Sequence, residues 1–334
     1  MPDKTTDPRV TLRDIAQAAD VSVSTASRAL SGAAGISDKV RARIQSVAES
    51  LNYAGGAQPL NVTIISNLNV METGAGEFVQ GLMRGIEIGA RELGVTLTLN
   101  LIGHNGPQLR APDASVAGYL LLSLQDDEIV SELARHGLPI VIVNGRESQM
   151  HVDAIAPANK TGGYLATRHL IDLGHRRILT LAYSARPTIR DRLEGHQKAM
   201  HEAGLEDDKD LIIELAAMRT DVTYQVIAER LKRPGGLDFT AIQCCNDASA
   251  FGAMTAVREA GLRIPEDISI VGFDDIPTAS MASPPLTTIR VDCAHIGTTA
   301  VRRLVERLRD PSLPASHTEF AVSLIDRAST GLKA

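Results

Sequence analysis

The stretch Thr11-Leu-Arg-Asp-Ile-Ala-Gln-Ala-Ala-Asp20-Val-Ser-Val-Ser-Thr-Ala-Ser-Arg-Ala-Leu-Ser31 decides the character of the N-terminal end. Leu12, Ile15, Ala16 and Ala19 recur at helical spacing and predict one apolar helix face. Thr11 followed by Asp14 forms a capping box with a shortened carboxylate. Asp20-Val21 breaks the pattern. Ser22 then caps a second helix, Val23–Leu30, whose inward side is Ala26, Ala29 and Leu30. The other side of that helix presents Val23, Ser24, Thr25, Ser27 and Arg28. Hydroxyls can bond phosphates or base edges, and an arginine can pair with guanine through two hydrogen bonds. Two short helices around a tight turn, with a third packed across them, make the helix-turn-helix plan.

Outward from this stretch, Ser37 is expected to cap the third helix, which carries Val40, Ile44, Val47, Ala48 and Leu51 on one face. Ala54-Gly55-Gly56-Ala57-Gln58-Pro59 favours neither helix nor strand and marks a domain boundary. Strands are then expected at Val62–Ser66, Thr96–Leu101, Gly118–Leu122, Ile140–Val143, Ala154–Ala156, Ile178–Leu181, Leu211–Glu214, Ala241–Cys244 and Ile268–Gly272. Helices are expected at Glu77–Leu93, Asp126–His136, Lys160–Leu173, Ile189–Ala203, Thr223–Leu231, Ala248–Ala260 and Ala294–Leu308. Strands alternating with long helices imply parallel sheets covered on both faces, and about 270 residues suit two such lobes.

Residues 11–31, with Ile36-Ser37 and Leu51-Asn-Tyr53, closely resemble the DNA-binding head of the lactose-repressor (LacI/GalR) family. The resemblance implies that Val23, Ser24 and Arg28 read bases and that Thr25 and Ser27 hold phosphates. Thr11 and Tyr53, at the ends of the matching stretch, complete the DNA-contacting candidates. Landmarks continue in family order: Gly85-Ile-Glu with Leu93-Gly, Leu170-Ile-Asp-Leu-Gly-His-Arg-Arg-Ile178, Arg192-Leu-Glu-Gly195, Asn246-Asp247, Ile264-Pro-Glu-Asp-Ile-Ser-Ile-Val-Gly-Phe-Asp-Asp275 and Pro285-Leu-Thr-Thr-Ile289. The implied architecture is an all-α helix-turn-helix head (1–53), a shortened hinge (54–61), and an α/β two-lobed domain of the type I periplasmic-binding-protein kind (62–334). The implied partners are double-stranded operator DNA, a small-molecule effector and a second copy of the chain in a homodimer.

Open α/β sheets bind ligands beyond the C-terminal ends of their strands. Asn144, Asn246 and Asp274 follow strands, and Arg192 lies in the first turns of a helix. Carboxylate, guanidinium and amide groups converging on a cleft can bond vicinal hydroxyls. In the family, the positions matching Arg192, Asn246 and Asp274 contact effector, Asn144 falls where a first-lobe polar contact often sits, and Phe78 matches an apolar or aromatic contact. Each has a plainer role open to it: Asp274 as a turn or cap residue, Arg192 as a partner of Asp191 or Glu194. There are departures from the family. Ala158-Asn159 stands where many relatives have Asp-Asn, and Ala216-Ala-Met218 replaces the usual aromatic wall. With no tryptophan and 3% aromatic residues, a small sugar, sugar acid or polyol is expected rather than a disaccharide or purine.

The hinge departs furthest. Relatives carry a helix of the form Ala-Arg-Ser-Leu there, whose leucines wedge the minor groove. Ala57-Gln58-Pro59-Leu60 matches it in outline only. Gly55-Gly56 and Pro59 oppose helix, and Leu60 runs almost directly into the strand at Val62. No stable hinge helix is expected.

Composition excludes several alternatives. Net charge is −6, with 44% hydrophobic and 22% charged residues. Residues 1–60 hold seven basic against six acidic side chains, so the acidic excess lies in the remainder. Three cysteines, two of them the adjacent Cys244 and Cys245, make no disulfide framework. The opening MPDKTTDPRV lacks an export signal and no long apolar span occurs, so a cytoplasmic protein with no membrane partner is expected. Gly74-Ala-Gly76 with Gly81 misses the dinucleotide-binding spacing. No zinc spacing or nucleophile elbow occurs, so no metal, cofactor or enzymatic activity is expected. His169 and His175 flank a helix end and are expected to be structural, His175 through the helix dipole. A sugar-binding protein without a regulatory role is the alternative function.

Overall fold

The computed structural model describes residues 10–30, 35–51, 53, 60–67, 76–103, 115–124, 126–205 and 208–333. The chain divides into two compact units, Met1–Leu60 and Asn61–Ala334.

The first unit holds α1 (Leu12–Ala18), α2 (Val23–Leu30) and α3 (Asp38–Ser50). The capping box forms as expected: the Thr11 amide and hydroxyl each donate to Asp14 Oδ2 at 2.7 Å, and the Asp14 amide donates back to Thr11 Oγ1 at 3.4 Å. The Thr11 hydrogen bonds hold the Asp14 carboxyl below the usual carboxylate range. At the break, Asp20 takes a left-handed φ of 49°. Ser22 Oγ accepts from the Thr25 amide at 3.1 Å, which starts α2. Ser37 heads α3 with extended backbone, but its side chain makes no capping bond, contrary to expectation. The core is Ile15, Ala16, Ala19, Ala26, Ala29, Ile44 and Ala48, where alanines let the helices approach closely. Arg41 Nη1 donates to the Ala29 carbonyl at 2.9 Å and so ties α3 to the end of α2.

The second unit holds two six-stranded sheets. The first lobe contains β1 (Leu60–Asn67), β2 (Val95–Ile102), β3 (Val116–Leu122), β4 (Ile140–Val143), β5 (Asp153–Pro157) and β11 (His317–Phe320), in the order β11-β5-β4-β3-β1-β2. Its helices are α4 (Gly76–Leu93), α5 (Asp127–Ala134) and α10 (Cys293–Arg309). The second lobe contains β6 (Ile178–Ala182), β7 (Ile212–Glu214), β8 (Ala241–Gln243), β9 (Ser269–Asp274), β10 (Thr287–Arg290) and β12 (Ser323–Ile325), in the order β12-β10-β9-β8-β6-β7. Its helices are α6 (Asn159–Asp172), α7 (Pro187–Glu202), α8 (Thr220–Leu231) and α9 (Asp247–Glu259). Ile140-Val-Ile-Val143 is buried throughout, as a central strand covered on both faces must be. Sequence patterning missed β10, β11 and β12, which are short and partly polar. β12 also runs antiparallel to β10, so the second sheet is mixed rather than wholly parallel. The chain passes between lobes three times, after β5, after β10 and after β11.

Helix pairs without side chains at the contact position the site. A Cβ at Gly163 of α6 would lie 2.0 Å from the Arg192 carbonyl, and one at Gly195 of α7 would lie 2.0 Å from the Lys160 carbonyl. Only glycine permits that approach, and it carries Arg192 in toward the ends of β8 and β9. The α4 and α10 helices use the same device at Gly85 and Gly297.

His175 is structural by another route than the helix dipole. It is buried, its Nδ1 lies 2.8 Å from Thr240 Oγ1 and its Nε2 lies 2.9 Å from Ser269 Oγ. Burial pushes its pKa down, so the neutral ring cross-links strands rather than countering a dipole.

Candidate functional site

Two surfaces carry chemistry, one in each unit. In the head, α2 buries Ala26 and Ala29 and leaves Val23 44% exposed, with Ser24, Ser27 and Arg28 also exposed. The helix thus turns the expected side chains outward. Thr25 is half-buried, and its hydroxyl lies 2.8 Å from Ser22 Oγ, which is also 3.1 Å from Ser24 Oγ. The Arg28 guanidinium lies over the turn at Gly35, where an added Cβ would sit 3.3 Å from Nη2. Thr11 is exposed but its hydroxyl is engaged in the capping box. Tyr53 packs against the head's core, with its amide bonded to the Ala48 carbonyl at 2.9 Å. Both therefore serve the head's own structure first.

In the second unit, the second lobe gathers three of the expected effector residues. Arg192 is buried, and each of its nitrogens is used. Nε donates to Asn159 Oδ1 at 2.9 Å, Nη1 to the Cys245 carbonyl at 2.6 Å, and Nη2 to Asp274 Oδ1 at 3.4 Å. The guanidinium also sits 3.5 Å from the centre of the Phe273 ring. Desolvation lowers the Arg192 pKa, opposed chiefly by Asp274. Asp274 ends β9 with φ 118°, and Asp275 follows with φ 54°. This left-handed pair is strained for non-glycine residues and turns the Asp274 carboxylate toward Arg192. Burial raises the Asp274 carboxyl to about 6, although Arg192 and Arg186 pull it down. Asp275 has a separate task, accepting from Arg290 Nε and Arg327 Nη2, each at 2.6 Å.

Asn246 is the N-cap of α9: its Oδ1 accepts from the Ser249 amide at 2.8 Å. The carbonyl oxygen is thus committed to structure, while the side-chain amide NH2 carries two donors. Asn144 and Phe78 belong to the first lobe. Asn144 ends β4 in left-handed backbone, φ 60°, and donates from Nδ2 to Ser123 Oγ at 2.9 Å. Phe78 is buried in the first turn of α4. Met218, in place of the aromatic wall, is buried, whereas Ala216 is exposed.

Several participants lay beyond sequence reasoning. Asn159 orients Arg192. Asp247 is buried, accepting from Thr288 Oγ1 at 2.5 Å and from the Ile276 amide at 3.0 Å. Burial and the nearby Asp274 push its carboxyl well above the usual range. Two hydrogen-bonded links bridge the lobes directly. Arg146 Nη2 bonds Asp191 Oδ1 at 2.7 Å, and Glu77 accepts from the Thr278 hydroxyl and amide at 3.0 and 3.3 Å. The Arg146 link replaces the plainer pairing considered for Arg192 with Asp191. A cavity of about 330 Å³ lies beside it, lined by residues that include Asn159, Thr188 and Asp191. Among the described residues no cluster fit to hold a metal occurs, and no helix is long and apolar enough to cross a membrane.

Comparison with known proteins finds matches in both units. The family described as bacterial regulatory proteins, lacI family, matches residues 11–55, and a periplasmic binding protein-like domain matches residues 167–330. The "HTH-type transcriptional repressor PurR" of Photobacterium profundum is 32% identical over 334 residues, covering 96% of this chain and 98% of that protein. The "Ribose operon repressor" of Haemophilus influenzae is 31% identical over 314 residues, covering 90% and 93%. Among solved structures, a complex of the transcriptional regulator CelR with cellobiose aligns with a TM-score of 0.73 at 28% identity, covering 96% of this chain and 100% of that one. A regulator from Enterococcus faecium with bound ribose aligns with a TM-score of 0.71 at 27% identity, covering 81% and 100%. The lac repressor dimer bound to operator aligns at 0.69 and 26% identity, covering 96% and 99%.

Proposed function

The chain belongs to the LacI family of bacterial regulatory proteins, and from that premise we propose that it represses transcription from an operator under control of a small polyhydroxylated effector held at Arg192 and Asp274. The DNA is engaged by α2, with Val23, Ser24 and Arg28 toward base edges and Thr25 and Ser27 toward phosphates. A homodimer in the cytoplasm places two heads on a near-palindromic site, because two-fold protein symmetry is mirrored in the half-sites. The effector sits beyond the ends of β8 and β9, with Asn246 offering its side-chain amide and Asn144 and Phe78 contributing from the first lobe.

One observation carries the sensing half. Arg192 and Asp274 meet in a loose 3.4 Å pair through Asp274 Oδ1, and no hydrogen bond engages Asp274 Oδ2 among the described residues. A ligand that bonds both groups favours one arrangement of the lobes and shifts the population toward it. The regulator with bound ribose and the one with bound cellobiose are relatives whose ligands have this chemistry. The absence of an aromatic wall favours a small effector over a stacked base.

A gel shift of the full chain on DNA upstream of its own gene, repeated across a sugar panel, tests both halves. Specific retardation that a sugar alters in wild type but not in Asp274→Ala is the expected result. No preference for upstream over random DNA defeats the regulatory reading. An effector response retained at wild-type concentration in Asp274→Ala misplaces the pocket.

A further inference from the structure

Beside Arg192 lies a second arginine that sequence reasoning did not single out. Arg186 occupies the N-cap position of α7 with extended backbone, φ −114° and ψ 120°, and its side chain makes no capping bond. Its Nη2 is buried and has no hydrogen-bond partner. It heads the helix that carries Arg192 six residues on, and the groups whose charges act on it are Arg192, Asp274, Tyr183 and Cys245. Burial and the neighbouring Arg192 draw its pKa down to about 10, which still leaves it protonated at neutral pH. A buried donor without a partner is costly, and more so when it is charged.

The nearby carboxylates are occupied elsewhere. Asp274 is shared with Arg192. Asp247 is spent on Thr288 and the Ile276 amide. Asp191 holds Arg146 across the lobes, and Glu214 accepts from the Ser184 amide and hydroxyl. Two guanidiniums therefore face one available carboxylate, and one positive charge stands uncompensated.

We propose that the effector is a sugar acid whose carboxylate pairs with Arg186 while its hydroxyls engage Asp274 and Asn246. A guanidinium meets a carboxylate through two parallel hydrogen bonds, one of which would give the buried Nη2 the partner it lacks. A single negative charge balances the site. A phosphate, at about −1.5 to −2 near neutral pH, would set excess negative charge against Asp274. The N-terminus of the sixteen-residue α7 adds favourable potential for an anion at the same place. This assignment rests on the reading of the cleft as the effector site.

The test uses the full chain and matched pairs of probes: five- and six-carbon aldonic acids, each against the alditol of the same carbon skeleton, with ribose 5-phosphate as a third arm. Thermal shift finds the binding pair and isothermal titration measures it in wild type, Arg186→Gln, Arg186→Lys and Asp274→Ala. An acid should bind roughly tenfold or more tighter than its alditol. Arg186→Gln should erase that preference, and Arg186→Lys should keep part of it. Without ligand, Arg186→Gln should melt no lower than wild type, since it removes an unpaired buried charge. A lower melting temperature would reveal a structural partner and overturn the proposal. So would an acid preference that survives Arg186→Gln, a preference for ribose 5-phosphate, or the absence of binding by any acid. If a neutral sugar binds and Asp274→Ala abolishes it, only the charge assignment falls. If no probe binds in any variant, the reading of the cleft falls with it.

Discussion

The outward side of α2, proposed to read DNA, and the cleft at Arg192 and Asp274, proposed to hold the effector, are held in opposite ways. On α2, Val23, Ser24, Ser27 and Arg28 are exposed, and the helix is secured by Ala26 and Ala29 on its far side. The exposed reading candidates and the packing alanines are separate residues, with Thr25, half-buried and bonded to Ser22, between the two. In the cleft reading and packing fall to the same residues: Arg192 bonds Asn159, the Cys245 carbonyl and Asp274 and lies against Phe273. The head can therefore change what it reads without changing its fold, whereas the cleft cannot change its anchor so freely.

The sharpest test is Arg192→Ala. Removing one member of a buried, hydrogen-bonded charge pair leaves the other unpaired and typically costs about 3–5 kcal/mol. The variant should lose both effector response and thermal stability, read by denaturant unfolding and ligand titration. Operator affinity without effector should persist below the melting transition. A variant as stable as wild type would show that reading and packing are separable here too.

Asp274→Asn probes the same pair through pH. The folded-state carboxyl is raised to about 6, against about 3.9 in an unfolded chain. Between those values the folded state holds the extra proton, so this group's contribution to stability falls as pH rises. Asparagine removes the titration. The melting difference between variant and wild type should therefore move in the variant's favour from about pH 4 to about pH 6. A constant difference across that range would place the Asp274 pKa near its unfolded value.

Arg28→Ala should show the opposite profile to Arg192→Ala. Loss of a base-reading arginine costs about 1–3 kcal/mol of operator binding and relaxes preference at one base per half-site. Folding stability should fall far less than in Arg192→Ala, because Arg28 is exposed where Arg192 is buried. Fluorescence anisotropy on operator and random DNA separates the outcomes. Equal loss on both would make Arg28 a phosphate contact.

These contrasts also explain what was legible in the sequence. The capping box at Thr11, the turn at Asp20 and the inward alanines of α2 are local, so residue order alone displays them. The same holds for β4 and the long helices, whose patterns are strong. The short strands β10, β11 and β12 exist because neighbours pair with them, and Thr287-Thr-Ile-Arg290 has no pattern that announces a strand. In the cleft, Arg192 and Asp274 were visible through family landmarks. Asn246 was visible as a site residue but not as a helix cap. Arg186 was invisible because its importance lies in a missing partner, which only the packed structure can show.

The smallest expected effect concerns Leu60. In the outline of a family hinge it stands at the wedge position, and the residues before it, 54–59, lie outside those described. Leu60 itself is half-buried and opens β1, with Asn61 already in register with Val116 of β3. A residue that starts a strand cannot also end a helical turn, because the two backbone conformations exclude each other. Gly55-Gly56 and Pro59 weaken any helix before it, and so short a nucleus is marginal even with good formers. Insertion into the minor groove would require Leu60 to leave β1 when DNA binds, and its burial between base pairs would have to outweigh the broken strand pairing. Leu60→Ala should therefore weaken operator binding by less than about 1 kcal/mol and leave a small bend angle unchanged. Affinity would then rest on the two heads and their phosphate contacts, giving a steep dependence on salt. A tenfold loss of affinity together with loss of a central kink, measured by circular permutation of the operator, would mean that β1 yields its first residue to DNA. The linker would then join the cleft as a region where one residue both packs and reads.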